Sequence, residues 1–90
     1  DNATALNNLA WLYATADDVS LRDNKKALAL AQKAASLTRE PHILDTLAEA
    51  YFINGNTEEA LKTIQEAIAL KPADVEYYYK QKQKFLTKSR

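Results

Sequence analysis

The sequence predicts an all-α chain built from antiparallel helical hairpins, and three observations carry that prediction. Leu44, Leu47, Ala48 and Tyr51 fall at i, i+3, i+4 and i+7, which is one stripe along a helix. Ala60, Ile64, Ala67 and Ile68 form a matching stripe further on. The only glycine, Gly55, lies between the two stripes within Asn54-Gly55-Asn56, where a helix C-terminus needs a left-handed residue. The alanines Ala48, Ala60 and Ala67 let two helix backbones approach, while Leu47, Tyr51 and Ile64 fill the grooves beside them.

Each element follows from its local chemistry. Leu6, Leu9, Ala10 and Tyr13 repeat the first stripe, predicting a helix over about 3–15. Ala27, Ala31 and Ala34 then stand for Ala60, Ile64 and Ala67. Because Ala31 is small, Leu28, Leu30 and Leu37 are expected to supply the volume in this first hairpin. The connection Thr15–Asp23 is longer than its counterpart in the second hairpin, and Val19 and Leu21 are expected to tuck onto the helices. Asp23 or Asn24 caps a helix running to about Thr38, and Pro41 opens the next at its first turn. Asn56 is expected to cap the fourth helix with Glu59 as its capping-box partner, and Glu58 and Glu59 suit the helix dipole. Beyond Pro72 the apolar residues Val75, Tyr78, Tyr79, Phe85 and Leu86 predict a last helix over about 74–88. Its polar side ends in a basic run of Lys80, Lys82, Lys84, Lys88 and Arg90, charges that suit a helix C-terminus.

The order Leu44-x2-Leu47-Ala48-x2-Tyr51, Ala60-x3-Ile64, Ala67, Pro72 resembles the tetratricopeptide repeat, with Leu44 for the usual Trp and Ala48 for Gly. The resemblance implies a short right-handed α-α superhelix. A divergent repeat with a long internal loop would span about 3–38 and a second repeat about 41–72. Gln81 and Lys82 fall where a third repeat would carry Leu and a small residue. The last helix therefore resembles the solvating helix that ends such arrays.

The resemblance also implies the function: a non-catalytic protein-interaction module that holds a peptide or helix against its first helices. The positions facing such a groove would be Thr4, Asn7, Asn8, Trp11 and Thr15, then His42, Asp45, Thr46, Glu49, Phe52 and Ile53. Trp11 and Phe52 lie off the apolar stripes and are expected to be exposed anchors, since Trp is enriched at binding hot spots. Packing of Trp11 on a neighbouring helix is the competing expectation. One subfamily grips acidic C-terminal peptides of chaperones; Asn8 matches its amide position, but His42 and Thr46 stand where Lys and Arg are required. Self-association through the open N-terminal face is the alternative use of the fold.

Other chemistries find little support. The 12 basic and 12 acidic residues balance, which removes a bulk electrostatic case for nucleic acid or an anionic membrane. The chain has no cysteine, so disulfides and thiol catalysis are excluded, while cytoplasm and periplasm both stay open. No apolar run approaches the ~20 residues of a membrane span. His42 shares a helix face with Asp45 and Glu49, but one histidine with two separated carboxylates is a poor metal or acid–base set. Asp17, Asp18 and Asp23 invite a calcium-loop reading, yet lack the glycine and closing glutamate of that loop and read as turn chemistry. No cofactor motif is present. The chain starts at Asp1 and contains no methionine, which suggests an excised domain or processed product.

Overall fold

The computed structural model describes residues 2–88; Asp1, Ser89 and Arg90 of the sequence lie outside the described residues. Five α-helices follow one another: α1 (Asn2–Thr15), α2 (Asn24–Leu37), α3 (Pro41–Ile53), α4 (Thr57–Ala69) and α5 (Val75–Lys88). A 3-10 turn, Val19–Leu21, interrupts the connection from α1 to α2. The helices α1 and α2 pack as one hairpin, α3 and α4 as a second, and α5 packs on both α4 and α3.

Small residues set the helix spacing. Ala10, Ala31 and Ala34 are buried with Ala35, Ile43, Leu47 and Ala50 where α3 meets the first hairpin. A second apolar cluster joins Leu44, Ala48, Ala60, Ile64 and Ala67 to Tyr78 and Phe85 of α5. Tyr51 is half-buried and packs against both clusters, so it links the two hairpins. Leu6, Leu28 and Leu30 line the first cluster as half-buried residues, but Leu37 stays exposed. It sits at the rim of a cleft with Asn2, Ala3, Thr38 and Glu40.

The helix ends explain where sequence-based expectations succeed and fail. Asp23 caps α2 by accepting a hydrogen bond from the Lys26 amide, and Pro41 opens α3. Gly55 takes φ +83, and the Gly55 and Asn56 amides donate to the Phe52 and Tyr51 carbonyls, closing α3 in a Schellman motif. That closure overturns the expected capping box. The Asn56 amide is already committed to Tyr51, its backbone is not extended, and its side chain caps nothing. At the end of α4 the left-handed position is filled by Lys71 at φ 56, whose amide donates to the Ile68 carbonyl. The next residue, Pro72, has no N–H and cannot add the second bond of the motif.

Val19 and Leu21 do not tuck onto the hairpin; Val19 is 70 % exposed and Leu21 is exposed as well. Polar bonds hold this loop instead. Asp18 accepts from the Ser20 amide and hydroxyl, Arg22 Nε donates to the Ala16 carbonyl at 2.5 Å, and the Asp23 amide donates to Tyr13. Those bonds hold the Asp18 carboxyl below its usual range, the Ser20 side-chain bond being the main cause. Asn24 Nδ2 donates to the Ile53 carbonyl while Asn54 Nδ2 donates to the Asn24 carbonyl, a reciprocal clasp that ties the start of α2 to the end of α3.

Candidate functional site

The first helix of each hairpin, with α5 as the third member of the series, carries the residues singled out for binding. The helices α3 and α5 run parallel, because contacts advance together along both. Tyr77 and Gln81 meet Asp45, Gln81 and Lys84 meet Glu49, and Phe85 meets Phe52. This seam decides what remains open on α3.

Asp45 and Glu49 do not face an open groove. Both are buried under α5. Asp45 accepts from Tyr77 Oη at 2.7 Å and from Gln81 Nε2 at 2.8 Å. Glu49 Oε1 accepts from Lys84 Nζ at 2.6 Å and from Gln81 Nε2 at 3.3 Å. Burial pushes the Asp45 carboxyl above its usual range, and the bonds from Tyr77 and Gln81 only partly counter it. Burial also raises the Tyr77 phenol, helped by its bond to the Asp45 carboxylate. Charged groups out of water need such partners, since a carboxylate left unpaired there is costly.

Phe52 is not an exposed anchor either. Its ring lies 4.8 Å from that of Phe85, tilted by 32°, and it packs against the second apolar cluster. Lys84 Nζ sits 5.8 Å from the Phe52 ring and 5.6 Å from the Phe85 ring, roofing the pair with its charge. Thr46 is buried, with its hydroxyl turned back to the His42 carbonyl. Ile53 is half-buried.

The remaining positions are more open. His42 is exposed, with Nδ1 3.7 Å from a Glu40 carboxylate oxygen. Thr4 and Asn8 are exposed, and Thr15 is half-buried with its hydroxyl on the Trp11 carbonyl at 2.8 Å. Trp11 is half-buried and belongs to neither apolar cluster, nor to the residues packed against them. Asn7 is buried, and its Oδ1 accepts no hydrogen bond among the described residues. It occupies in α1 the place that Asp45 occupies in α3. The α3 residues at the places of Tyr77 and Gln81 are Ile43 and Leu47, whose side chains have nothing to donate.

His42, Asp45 and Glu49 thus share a helix face without forming a ligand set. Among the described residues no three His, Asp or Glu side chains stand close enough to hold a metal ion. No helix among them is long and apolar enough to cross a membrane.

A stack of helical hairpins with alanine-lined seams defines a helical-repeat protein. Residues 41–83, which span α3, α4 and the first part of α5, match the family model of the tetratricopeptide repeat, and the five helices are consistent with a repeat of that kind. Repeats of this family are protein-interaction modules and are in general not catalytic. No curated protein and no solved structure matches the chain significantly.

Proposed function

We propose that the chain binds a peptide or helix of a partner protein along the first-helix face. Asn8, Trp11 and Thr15 of α1 and His42 of α3 would supply the contacts. The observation that carries this reading is Trp11: a large aromatic left partly exposed and outside both apolar clusters. Such a ring offers much contact area at low entropic cost. Asp45, Glu49 and Phe52 act beneath α5 as supports of this face rather than as ligand contacts.

Selection of binders from a random peptide library, on the wild type and on Trp11→Ala, tests the proposal. Selected peptides should lose at least about tenfold in affinity for Trp11→Ala, as hot-spot truncations do. The variant should melt with a loss below about 2 kcal/mol, because a half-exposed ring leaves a smaller defect than a core one. Undiminished binding to Trp11→Ala would reject the groove as drawn.

A further inference from the structure

The turn that ends α3 joins two groups able to react with each other, and the fold holds them apart. Gly55 is the only glycine, so Asn54 is the only asparagine that precedes a residue without a Cβ. The missing Cβ lets the backbone nitrogen of residue 55 approach the preceding side chain without steric hindrance. A Cβ placed on Gly55 would meet nothing within 4 Å, so the turn stands open to water. Hydrogen bonds restrain both partners. The Gly55 amide donates to the Phe52 carbonyl at 3.0 Å, within the closure of α3. Asn54 Nδ2 donates back to the Ala50 carbonyl at 2.8 Å and across to the Asn24 carbonyl at 2.9 Å. Asn24 Nδ2 completes the clasp on the Ile53 carbonyl at 3.1 Å.

We propose that Asn54 is a site of spontaneous deamidation, gated by opening of this clasp, and that the reaction then keeps the clasp open. The Gly55 nitrogen bonds to Asn54 Cγ, the Cγ–Nδ2 bond breaks, and Nδ2 leaves as ammonia with the Gly55 amide proton. Water opens the resulting cyclic imide at either of its two carbonyls. One product is aspartate; the other is isoaspartate, whose main chain runs through Cβ and Cγ. Neither restores the clasp. A carboxylate only accepts hydrogen bonds, and here it would face the Asn24 and Ala50 carbonyls, which also only accept. Its charge falls at the C-terminal end of α3, where the helix dipole disfavours an anion. Isoaspartate further adds a main-chain atom inside the closure that Gly55 and Asn56 make on Phe52 and Tyr51.

Peptide-resolved mass spectrometry tests this on the 90-residue chain, incubated at mildly alkaline pH both folded and unfolded in guanidinium chloride. In the unfolded chain Asn54 should convert faster than any other asparagine. In the folded chain it should convert at least about tenfold more slowly, because reaction waits on a local opening. Asn24→Ala removes half of the clasp and should speed the folded-state reaction about fivefold, the rate equivalent of one hydrogen bond. Ile64→Val weakens the core by a comparable amount away from the clasp, and should leave that rate unchanged. Asn54→Asp makes the aspartate product directly and should lower the melting midpoint by about 4–8 °C. Four results would overturn the proposal: an Asn54 no faster than the other asparagines when unfolded, equal Asn54 rates folded and unfolded, an Ile64→Val chain that reacts as fast as Asn24→Ala, or an Asn54→Asp melt that superimposes on the wild type.

Discussion

The seam between α3 and α5 and the one between α1 and α3 use equivalent helix positions and opposite chemistry. In the first, Asp45 and Glu49 are buried and met by Tyr77, Gln81 and Lys84. In the second, Asn7 holds the place of Asp45, Ile43 and Leu47 hold the places of Tyr77 and Gln81, and among the described residues the Asn7 carbonyl oxygen goes without a donor. The repeat therefore fixes where side chains meet but not what they must be. A polar residue at the Asp45 place is tolerated when the following first helix supplies donors and is a defect when it supplies leucine and isoleucine.

The largest effect should come from removing a donor at the polar seam. Lys84→Ala leaves the Glu49 carboxylate with only the longer Gln81 bond and strips the cation from the Phe52–Phe85 pair. Breaking a fully buried ion pair costs about 3–5 kcal/mol, and the partial exposure of Lys84 should reduce this to about 2–3 kcal/mol in chemical denaturation. A loss below about 0.5 kcal/mol would mean that the seam is held by Phe85 and Tyr78 alone.

The opposite sign is expected at the apolar seam. Asn7→Leu replaces an amide whose buried carbonyl oxygen has no donor among the described residues with an apolar side chain of similar size, and should raise stability by about 1 kcal/mol. If the variant is destabilised, Asn7 has a partner that its surroundings do not reveal, and the contrast between the seams fails.

The smallest expected effect is in pH dependence, seen as the difference between the wild type and Asp45→Asn. Asp45 binds its proton more tightly in the folded chain than in the unfolded one. Its contribution is therefore greatest at acid pH, below its unfolded value, and falls as pH rises to the elevated folded value. Relative to Asp45→Asn, the wild type should lose stability across that window and stay level above it. The Arg39–Glu66 ion pair acts in the reverse sense, because its hydrogen bond lowers the Glu66 carboxyl, but it is present in both proteins and cancels.

Much of the fold is legible in local sequence because it depends on local chemistry. The alanine stripes, Gly55, Pro41 and Asp23 each act through a backbone or a helix face that periodicity reveals. The α3–α5 seam depends on residues from separate helices meeting. Gln81 in a leucine slot reads as a mismatch until α5 is laid on α3 in repeat register, where its amide falls between Asp45 and Glu49. The signal was in the chain: donors at 77, 81 and 84 opposite acceptors at 45 and 49. The exposure of Val19 and Leu21 had no such signal, since the polar bonds that shape their loop leave hydrophobic residues pointing outward. Asn56 shows that a good capping residue can be pre-empted by the motif closing the helix before it.

The central claim is that α5 is held on α3 by a matched polar set, and a double-mutant cycle on Asp45 and Gln81 tests it most directly. Gln81→Leu installs the residue the repeat pattern favours, yet should cost about 1–3 kcal/mol, because Asp45 loses a donor where water cannot replace it. Asp45→Leu should cost a similar amount by leaving the Gln81 amide facing an apolar side chain. The double variant makes the pair apolar on both sides, and should recover most of the combined loss, with a coupling of about 1–3 kcal/mol. Losses that simply add, with no recovery in the double variant, would contradict the claim.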